Sequence, residues 1–415
     1  MANFDLISEN ISEYEDTIND NVISLRDNNL NSLELQIKAI CADKSILDVH
    51  HSIYKKIESY IRSGKISIDD ILNAIHENHN FLSSTVIKLL YENDIINDLS
   101  STGIHHDFLS MMLIQPRVVF CNGAPFSQIT MAPCTEVYFW GIPSSGKTSA
   151  LGAILGAITY GKIVKSCKFN PQCQGYGYMN RLVNLFETNG AVGTFPEDAA
   201  ISSIYEMGFI LEDEDGRKHP ITCIDLAGEL VRCMYKYNAN EPLTDEQQKV
   251  LKTLTDNLVD NRPNNRKIHF FVIEYGAEHR FYDGLSQEAY LNAALNYMES
   301  TGVFIRNTYA IHILVTKVDK INEKGVALQD ELRSFIKDNY HGFYKNLEKV
   351  CRDYEINCGK VLIHPFTVGE VCMQDFFLYK DEYAAAVAKV IIEESLIVSP
   401  RFNRLFQRVR KIFKT

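Results

Sequence analysis

The first half of the chain contains a short segment whose residue types and spacing suit the binding of phosphate. Its sequence is Gly141-Ile142-Pro143-Ser144-Ser145-Gly146-Lys147-Thr148. The glycines allow a tight turn in which backbone N–H groups face phosphate oxygens, and a helix starting at the end of the segment adds the positive end of its dipole. This pattern needs a strand before it and a helix after it. The apolar run 136–140 and the small-residue stretch 149–160 supply that context.

The segment therefore predicts a phosphate site in which each side chain has its own role. Lys147 would reach the β- and γ-phosphates and assist catalysis, and Thr148 would place its hydroxyl on Mg²⁺. The alternative is an ordinary glycine-rich turn, which the strand and the helix on either side disfavour. The residues predicted to contact the phosphates are Gly141, Ser144, Ser145, Gly146, Lys147, Thr148 and Ser149.

A second motif, Asp225-Leu226-Ala227-Gly228, follows directly after the apolar run 221–224. An aspartate at the end of a strand can hold Mg²⁺, usually through water, and a glycine three residues later can offer its N–H to a γ-phosphate. Alone, Asp-x-x-Gly is often a plain turn. Its position after a strand and after the phosphate segment favours Asp225 as a metal-site residue and Gly228 as a γ-phosphate sensor.

A third motif, Thr316-Lys317-Val318-Asp319, follows the apolar run 309–315. The guanine edge presents two adjacent N–H donors, and one carboxylate can accept from both in a charge-assisted, bidentate contact. Adenine cannot make that pair. The motif therefore predicts base recognition by Asp319, with the stem of Lys317 along the base. A charged surface loop is the alternative.

Together the three motifs resemble the G1, G3 and G4 motifs of the translation-factor-like, Ras-like P-loop GTPases. The resemblance covers residues 136–400 and is local to the motifs. The form Asp-Leu-Ala-Gly-Glu is also similar to that of bacterial double-GTPase proteins associated with conflict systems. The resemblance implies an α/β, Ras-like P-loop GTPase domain, with a mostly parallel sheet and helices on both faces. It also implies a cycle between GTP and GDP with Mg²⁺.

The resemblance implies two further elements. A switch I threonine should complete the Mg²⁺ shell when GTP is bound, and Thr194 is the choice because it lies between the phosphate-loop helix and a predicted hairpin. Thr188 is the rival. A backbone contact to the guanine oxygen should follow the last strand, where Thr367 and Val368 stand.

The sequence departs from the class at positions that concern catalysis. Many members carry a glutamine after the Asp-x-x-Gly glycine to orient the attacking water. Here Glu229 stands there, and a carboxylate near γ-phosphate is unfavourable unless it is protonated or paired. Pro143 stiffens the loop and removes one donor. We therefore expect slow hydrolysis involving Lys147, Gly228 and Glu229, with Arg232 either an arginine finger in cis or an ordinary exposed helix residue.

The order of elements supports the same reading. Short apolar runs alternate with helical stretches from Glu136 onward, which is typical of a parallel α/β sheet. An acidic turn, 212–216, predicts a hairpin that brings an antiparallel strand beside that sheet. The predicted strands are 136–140, 221–225, 268–274, 309–315 and 360–366, with the hairpin runs 204–211 and 219–225.

Four regions follow from these patterns. Residues 1–115 show helical spacing and predict an all-helical accessory domain, and Pro and Gly residues mark a junction at 116–135. The GTPase domain would cover 136–400. An insertion around 229–266, in which Thr244 and Gln247 form a capping box, would either carry nucleotide state to a protein partner or be a passive helix. The N-terminal helices are the other candidate partner surface.

Residues 401–415 predict a basic amphipathic helix. Such a helix can lie on an anionic membrane surface, bind a partner groove or pack onto its own domain. The apolar residues on its predicted face are Phe402, Leu405, Phe406, Val409, Ile412 and Phe413.

Composition excludes several other classes. The net charge is −11, and residues 1–110 hold 18 acidic and 8 basic residues, so we do not expect nucleic acid as a partner. The ten cysteines are scattered, and Cys167 and Cys173 are too far apart in sequence for a typical zinc pair. The start of the chain lacks an apolar stretch and no run is long enough for a membrane span, so we expect a cytoplasmic protein.

Three functional hypotheses remain after this reading. The leading one is a GTP-binding molecular switch that slowly hydrolyses GTP to GDP and phosphate with Mg²⁺. The second is an interaction scaffold that GTP stabilises and that hydrolyses it negligibly. The third, an ATP-dependent P-loop enzyme, would leave the residues from Thr316 to Asp319 without a purpose.

Overall fold

A computed structural model describes most of the chain. The described residues are 28–43, 46, 48–76, 82, 84–97, 133–187, 192–194, 204–256, 265–282, 284–305, 307–321, 324–372 and 376–397. The chain divides into two compact units, one of residues 1–116 with 371–376 and one of residues 117–370 with 377–415. The predicted domain boundaries remain predictions. The predicted helix 401–415 and most of the junction 116–135 lie outside the described residues.

Within residues 28–97, the described secondary-structure elements of the first unit are all helices. They are α1 (28–42), α2 (Val49–Arg62), α3 (Ile68–His76) and α4 (Ser84–Glu92). At the start of α3, the Ser67 hydroxyl accepts the Asp70 N–H at 3.1 Å and the Asp70 carboxylate accepts the Ser67 N–H at 2.6 Å. This reciprocal capping fixes where the helix begins. An all-helical domain over 1–115 stays a prediction, since residues 1–27 and 98–115 are outside the described part.

A mostly parallel sheet organises the second unit. In the described part of the chain, the strands are β1 (Thr135–Trp140), β2 (Ser166–Phe169), β3 (Val192–Thr194), β4 (Ile204–Glu212), β5 (Lys218–Leu226), β6 (Arg266–Glu274), β7 (Phe281–Tyr282), β8 (Leu285–Ser286), β9 (Thr308–Thr316), β10 (Leu362–Phe366), β11 (Gly369–Cys372) and β12 (Phe376–Tyr379). Seven of them form one sheet in the order β10-β9-β6-β1-β5-β4-β2. The pairs from β10 to β5 are parallel, whereas β5–β4 and β4–β2 are antiparallel.

Helices connect these strands. The α-helices of the second unit, among its described residues, are α5 (Lys147–Tyr160), α6 (Tyr176–Leu185), α7 (Glu229–Asn238), α8 (Asp245–Thr255), α9 (Gln287–Ser300), α10 (Val326–Asn339), α11 (His341–Asp353) and α12 (Glu382–Glu394). Short 3₁₀ turns cover Val303–Ile305, Val318–Lys320 and Ile356–Gly359. Two smaller sheets, β7–β8 and β11-β12-β3, accompany the main one.

Both faces of the main sheet are covered by helices. On one face, Tyr138 and Trp140 of β1 join a buried core with residues of α7 to α11. On the other face α5 packs against α6 and α12, and Phe139 stacks on Phe270 at 5.2 Å between ring centroids. On this same face, Nε2 of His312 in β9 lies 2.7 Å from the carboxylate of Glu394 in α12, which joins the sheet to that helix. The predicted α/β architecture with a mostly parallel sheet is therefore confirmed.

The predicted strands correspond to β1, β5, β6, β9 and β10, and the predicted hairpin is β4–β5. The other described strands were not predicted: β2, the hairpin β7–β8, and the strands β3, β11 and β12 of the three-stranded sheet. Edge strand β2 has only four residues, none of them buried, and the hairpin β7–β8 has two residues in each strand, so neither has a clear hydrophobic pattern. Within the insertion, the capping box of Thr244 and Gln247 begins α8 as predicted. Among the described residues, no helix is long and apolar enough to cross a membrane.

Close packing of α5 depends on a glycine at its centre. A Cβ added to Gly156 would lie 2.6 Å from the Cβ and 2.8 Å from the carbonyl oxygen of Phe186. The carbonyl is backbone and cannot rotate away, so the chain after α6 approaches α5 only because this side chain is missing. Gly177 in α6 is the opposite case, because a Cβ there would meet no heavy atom within 4 Å.

These two glycines generate a test of the packing. We expect Gly156→Ala to lower the free energy of unfolding by about 1–3 kcal/mol, since the added methyl forces backbone apart. Gly177→Ala is the matched control and should raise it by up to about 1 kcal/mol, because alanine is the better helix former. Urea unfolding of both variants measures the difference. Equal midpoints for the two variants would show that the close approach is not a constraint.

Candidate functional site

The predicted phosphate, Asp-x-x-Gly and base-recognition segments meet at one edge of the main sheet. Strands β5, β1, β6, β9 and β10 run parallel in neighbouring positions, so their carboxyl ends share that edge. Ligands of open α/β sheets bind outside the carboxyl ends of the strands. The residues that end or follow these strands are Asp225, the 141–148 loop, Glu274, Thr316 and Thr367.

The loop after β1 has the backbone of a phosphate cradle. Ser144 and Gly146 have positive φ angles, 59° and 88°, so the chain reverses direction just before α5 begins at Lys147. A Cβ on Gly141 would lie 2.8 Å from the Val272 carbonyl oxygen, so glycine is required there. The first turn of α5 has no acidic residue, and Ser149 lies in it. The N–H groups of this helix start are therefore well placed for an anion.

The lysine of the loop is folded over the loop itself. Lys147 is buried, and its Nζ donates a hydrogen bond to the Ile142 carbonyl oxygen at 2.7 Å. The ammonium group thus spans the concave side of the segment that begins at Gly141. A phosphate oxygen offers a stronger, charge-assisted acceptor than a backbone carbonyl. The geometry is consistent with the predicted role of Lys147 in holding phosphate.

Two predicted metal-site residues are in direct contact. The Thr148 hydroxyl lies 3.1 and 3.3 Å from the two carboxylate oxygens of Asp225. A third residue, Tyr178 of α6, donates its hydroxyl hydrogen to Oδ2 of the same carboxylate at 3.1 Å. Burial raises the pKa of Asp225, although the charge of Lys147 and these hydrogen bonds act in the opposite direction. A cation beside Asp225 would favour its ionised form.

The donor set fits Mg²⁺. A threonine hydroxyl and a carboxylate are hard oxygen ligands, and Mg²⁺ usually takes one or two carboxylates together with substrate phosphates. Among the described residues, no group of three or more His, Cys, Asp and Glu could hold a metal by itself. Thr148 and Asp225 are the residues that could hold the ion.

Gly228 packs directly on the phosphate loop. A Cβ added there would lie 2.3 Å from the nitrogen of Pro143 and 2.6 Å from the carbonyl carbon of Ile142. This backbone-to-backbone contact explains why the position after Asp225-Leu226-Ala227 is glycine. Helix α7 begins at the next residue, so the start of that helix lies directly against the loop.

Glu229 is paired, which changes how its charge would act. Its carboxylate accepts from Nη1 of Arg232 at 3.0 and 3.2 Å, one turn along α7. Both side chains are about one-third exposed, at 37% and 34%. Arg232 is therefore engaged with Glu229 in this structure. The guanidinium group of Arg232 partly offsets the negative charge of Glu229.

The predicted base-recognition residues are also brought together. The Thr367 hydroxyl donates to Oδ1 of Asp319 at 2.8 Å and also lies 3.0 Å from the Gly369 carbonyl oxygen. Asp319 stands in the 3₁₀ turn after β9, and the Val368 carbonyl accepts the Lys380 N–H at 3.0 Å. One oxygen of Asp319 is thus fixed by the loop after β10.

The base segment is tied to the phosphate loop. The Thr316 hydroxyl donates to the Ser145 carbonyl oxygen at 2.8 Å and lies 3.3 Å from the Ile273 carbonyl oxygen. A Cβ on Gly146 would contact the Thr316 side chain at 3.5 Å. Thr316 therefore fixes the separation between the predicted phosphate and base positions.

Sequence reasoning missed a buried carboxylate at the base end. Glu274, the last residue of β6, is nearly inaccessible, and its Oε1 lies 2.7 Å from Nζ of Lys317. Its two oxygens also accept from Arg280 at 3.0 and 3.1 Å. Lys317 adopts a left-handed backbone conformation with φ 62°. A charged residue at the end of an apolar strand was the available signal for Glu274.

The switch I prediction is only partly visible. Thr194 ends the short strand β3, and its side chain is outside what the structure describes. Thr188 lies outside the described residues altogether. Neither choice is decided, and the role of Thr194 stays a prediction.

Comparisons with known proteins give distant matches. The sequence matches no family model and no curated protein. Among solved structures, Roco2 RocCORdC of Methanosarcina barkeri bound to GDP matches at 12% identity and TM-score 0.27, over 66% of this chain and 50% of that one. This chain therefore spans half the length of that structure.

Two further structures match over nearly their whole length. Nucleolar GTP-binding protein 1 of Plasmodium falciparum matches at 13% identity and TM-score 0.28, over 69% of this chain and 98% of that one. The signal recognition particle receptor SRb-GTP/SRX complex of Chaetomium thermophilum matches at 12% identity and TM-score 0.32, over 62% of this chain and 99% of that one. All three are described by name as proteins with GTP or GDP.

The Glu274 cluster generates a test of its contribution to the fold. We expect Glu274→Gln to lower the free energy of unfolding by about 1–3 kcal/mol, because two cations lose a charged hydrogen-bond acceptor in a buried position. Asp330→Asn is the matched control, since its pair with Arg333 is well exposed, and it should change stability by less than about 0.5 kcal/mol. Urea unfolding measures both. Similar small changes would mean that Glu274 does not organise this end of the site.

Proposed function

We propose that this protein binds GTP with Mg²⁺ at the carboxyl edge of its main sheet and acts as a molecular switch with slow hydrolysis to GDP and phosphate. The observation that carries the proposal is the bond from Thr316 to the Ser145 carbonyl oxygen. It fixes a segment with base-reading chemistry beside a loop with phosphate-binding geometry. A single nucleotide is the ligand class that requires both at once.

Guanine selection would reside in Asp319. A carboxylate has two oxygens with capacity for about four hydrogen bonds. Thr367 uses one position on Oδ1, which leaves the carboxylate able to accept from the two N–H groups of the guanine edge. Val368 follows Thr367 directly and would offer its N–H to the guanine oxygen. Lys317, held by Glu274, would lay its stem along the base.

Phosphate binding would use the start of α5. The backbone of Gly141, Ser144, Ser145 and Gly146, with Lys147, Thr148 and Ser149, surrounds the position that an anion at this helix would take. Bound Mg²⁺ would neutralise charge that develops on the phosphates during transfer. Thr148 and Asp225 would hold it, together with Thr194 of switch I.

Sensing of the γ-phosphate would begin at Gly228. Its contact with Pro143 places the start of α7 against the phosphate loop. The backbone N–H of Gly228 would therefore bond the γ-phosphate, the phosphate that reaches furthest along this loop. GTP reaches further than GDP by one phosphate. Helix α7 and the insertion that follows it are therefore the route by which a protein partner would read the nucleotide state, with the N-terminal helices as the second candidate surface.

Slow hydrolysis follows from the residues at the catalytic position. Glu229, paired with Arg232, can accept a hydrogen bond from water but cannot also donate one to phosphate, as a glutamine can. Pro143 has no N–H to contribute. Lys147, Gly228 and Glu229 are thus the residues assigned to catalysis. Without an arginine that contacts the transferring phosphate, the rate constant of GTP hydrolysis can be lower by a factor of roughly 10³ to 10⁵.

The Glu229–Arg232 pair also favours a second candidate, a scaffold that GTP stabilises without turnover. Phosphate release in a single turnover distinguishes the two, because a scaffold binds GTP and releases no phosphate over hours. An ATP-dependent enzyme is less favoured, since it leaves the bond between Thr367 and Asp319 without a role.

We also propose a cytoplasmic location, and a C-terminal helix at 401–415 that could meet a membrane surface.

The base contact can be tested by two variants of graded severity. Asp319→Ala should weaken GTP binding by about 100-fold or more, because two charge-assisted hydrogen bonds are lost. Thr367→Val keeps the shape and removes only the orienting hydroxyl, so we expect a loss of about 10-fold. Asp330→Ala, an exposed residue, is the control. Titration with fluorescent GDP and GTP measures all three, and unchanged affinity in Asp319→Ala would overturn the assignment.

A further inference from the structure

We propose that Tyr178 is a positioning residue for Asp225, and that its hydroxyl sets the affinity of the site for Mg²⁺. This inference rests on the proposed function, because it assumes that Asp225 helps to hold the ion. Tyr178 lies in α6, outside all of the motifs that the sequence identified. Its hydroxyl nevertheless contacts the carboxylate on which the metal site depends.

The hydroxyl fixes one particular oxygen. Tyr178 donates to Oδ2 of Asp225 at 3.1 Å, and the Thr148 hydroxyl lies at the same distance from that oxygen. Asp225 and Tyr178 are both only 2% exposed, so bulk water has little access to replace the bond. The carboxylate is therefore oriented by a donor that belongs neither to the phosphate loop nor to the Asp-x-x-Gly segment.

The tyrosine ring has little freedom to move. It stacks on Tyr205 with ring centroids 3.9 Å apart and an interplanar angle of 16°. Tyr205 of β4 pairs with Asp225 of β5 in the sheet. The residue on which the Tyr178 ring stacks is therefore the direct neighbour of Asp225. The stack holds the hydroxyl above the strand pair that carries Asp225.

The start of α6 is pinned to the same strand. The Gly175 N–H donates to the Glu206 carbonyl oxygen at 2.8 Å, and the Glu206 N–H donates to the Gln174 side-chain oxygen at 3.0 Å. A Cβ on Gly175 would lie 2.6 Å from that carbonyl oxygen. Helix α6 therefore begins in contact with β4, one residue away from Tyr205. Backbone contacts, ring stacking and a buried hydrogen bond together place the Tyr178 hydroxyl.

Tyr178 would become the remaining hydroxyl partner of Asp225 if the Thr148 hydroxyl ligated a metal ion. A hydroxyl that ligates an ion is reoriented, whereas Tyr178 is held by its stack on Tyr205 and can keep its bond to Asp225. Partners that orient ligands from outside the metal shell typically contribute about 10- to 100-fold in metal affinity. Tyr178 would supply that contribution here.

The test compares Mg²⁺ requirement in Tyr178→Phe and in the full-length wild type. The variant keeps the ring and its stack and removes only the hydroxyl. We expect it to need about 10-fold more Mg²⁺ for half-maximal retention of fluorescent GDP. Its affinity for fluorescent GDP in EDTA should stay within about two-fold of wild type, because the phosphate and base contacts are unchanged.

Tyr297→Phe is the matched control. Its buried hydroxyl lies 2.6 Å from the Thr255 hydroxyl, between α9 and α8, so its loss should alter neither measurement. Urea unfolding checks that both variants fold. If Tyr178→Phe does not fold, Tyr205→Leu loosens the ring while keeping the hydroxyl, and should raise the Mg²⁺ requirement by a smaller factor.

The outcomes separate this inference from the proposed function. A wild-type Mg²⁺ requirement in Tyr178→Phe, or a loss of GDP affinity that is equal with and without Mg²⁺, would overturn the role of Tyr178. A wild-type protein that does not retain GDP at any Mg²⁺ concentration would instead overturn the proposed function.

Discussion

The loop between β1 and α5 is held from two sides, and the rest of the site depends on that constraint. Thr316 binds the Ser145 carbonyl oxygen on the side of the base segment. On the side of the Asp-x-x-Gly segment, the backbone of Gly228 packs closely against Pro143. Parallel strands place all three segments at one edge, and these contacts, together with the one between Thr148 and Asp225, fix their separations. A nucleotide bound there would bridge parts that are already in register, which lowers the entropy lost on binding.

Two buried carboxylates at this edge are satisfied in different ways. Glu274 contacts two cations, Lys317 and Arg280, so its charge is balanced by the protein itself. Asp225 contacts the hydroxyls of Thr148 and Tyr178, and its pKa is raised by burial. The hydrogen bonds to Asp225 come from neutral hydroxyls and Lys147 acts on it as a nearby charge, so a bound cation would further favour the ionised form of this carboxylate. The structure thus contains one carboxylate suited to positioning and one suited to an ion.

Sequence reasoning reached the parts of the site that are local in the chain. The loop 141–148, Asp225 and Asp319 each follow an apolar strand at a short, fixed distance, and the fold places them at one edge as that pattern predicts. Tyr178 could not be found in this way, because only the pairing of β4 with β5 and the packing of α6 bring its hydroxyl to Asp225. Edge strand β2 was missed because four residues without buried positions carry no period.

The central claim is that one guanine nucleotide links the phosphate loop to Asp319. Competition between unlabelled GTP and unlabelled ATP for the site of fluorescent GDP, in the presence of Mg²⁺, tests it most directly. Because adenine cannot satisfy the Asp319 carboxylate, GTP should displace the probe at a concentration about 100-fold lower than ATP. Displacement by ATP at the same concentration as GTP would contradict the account.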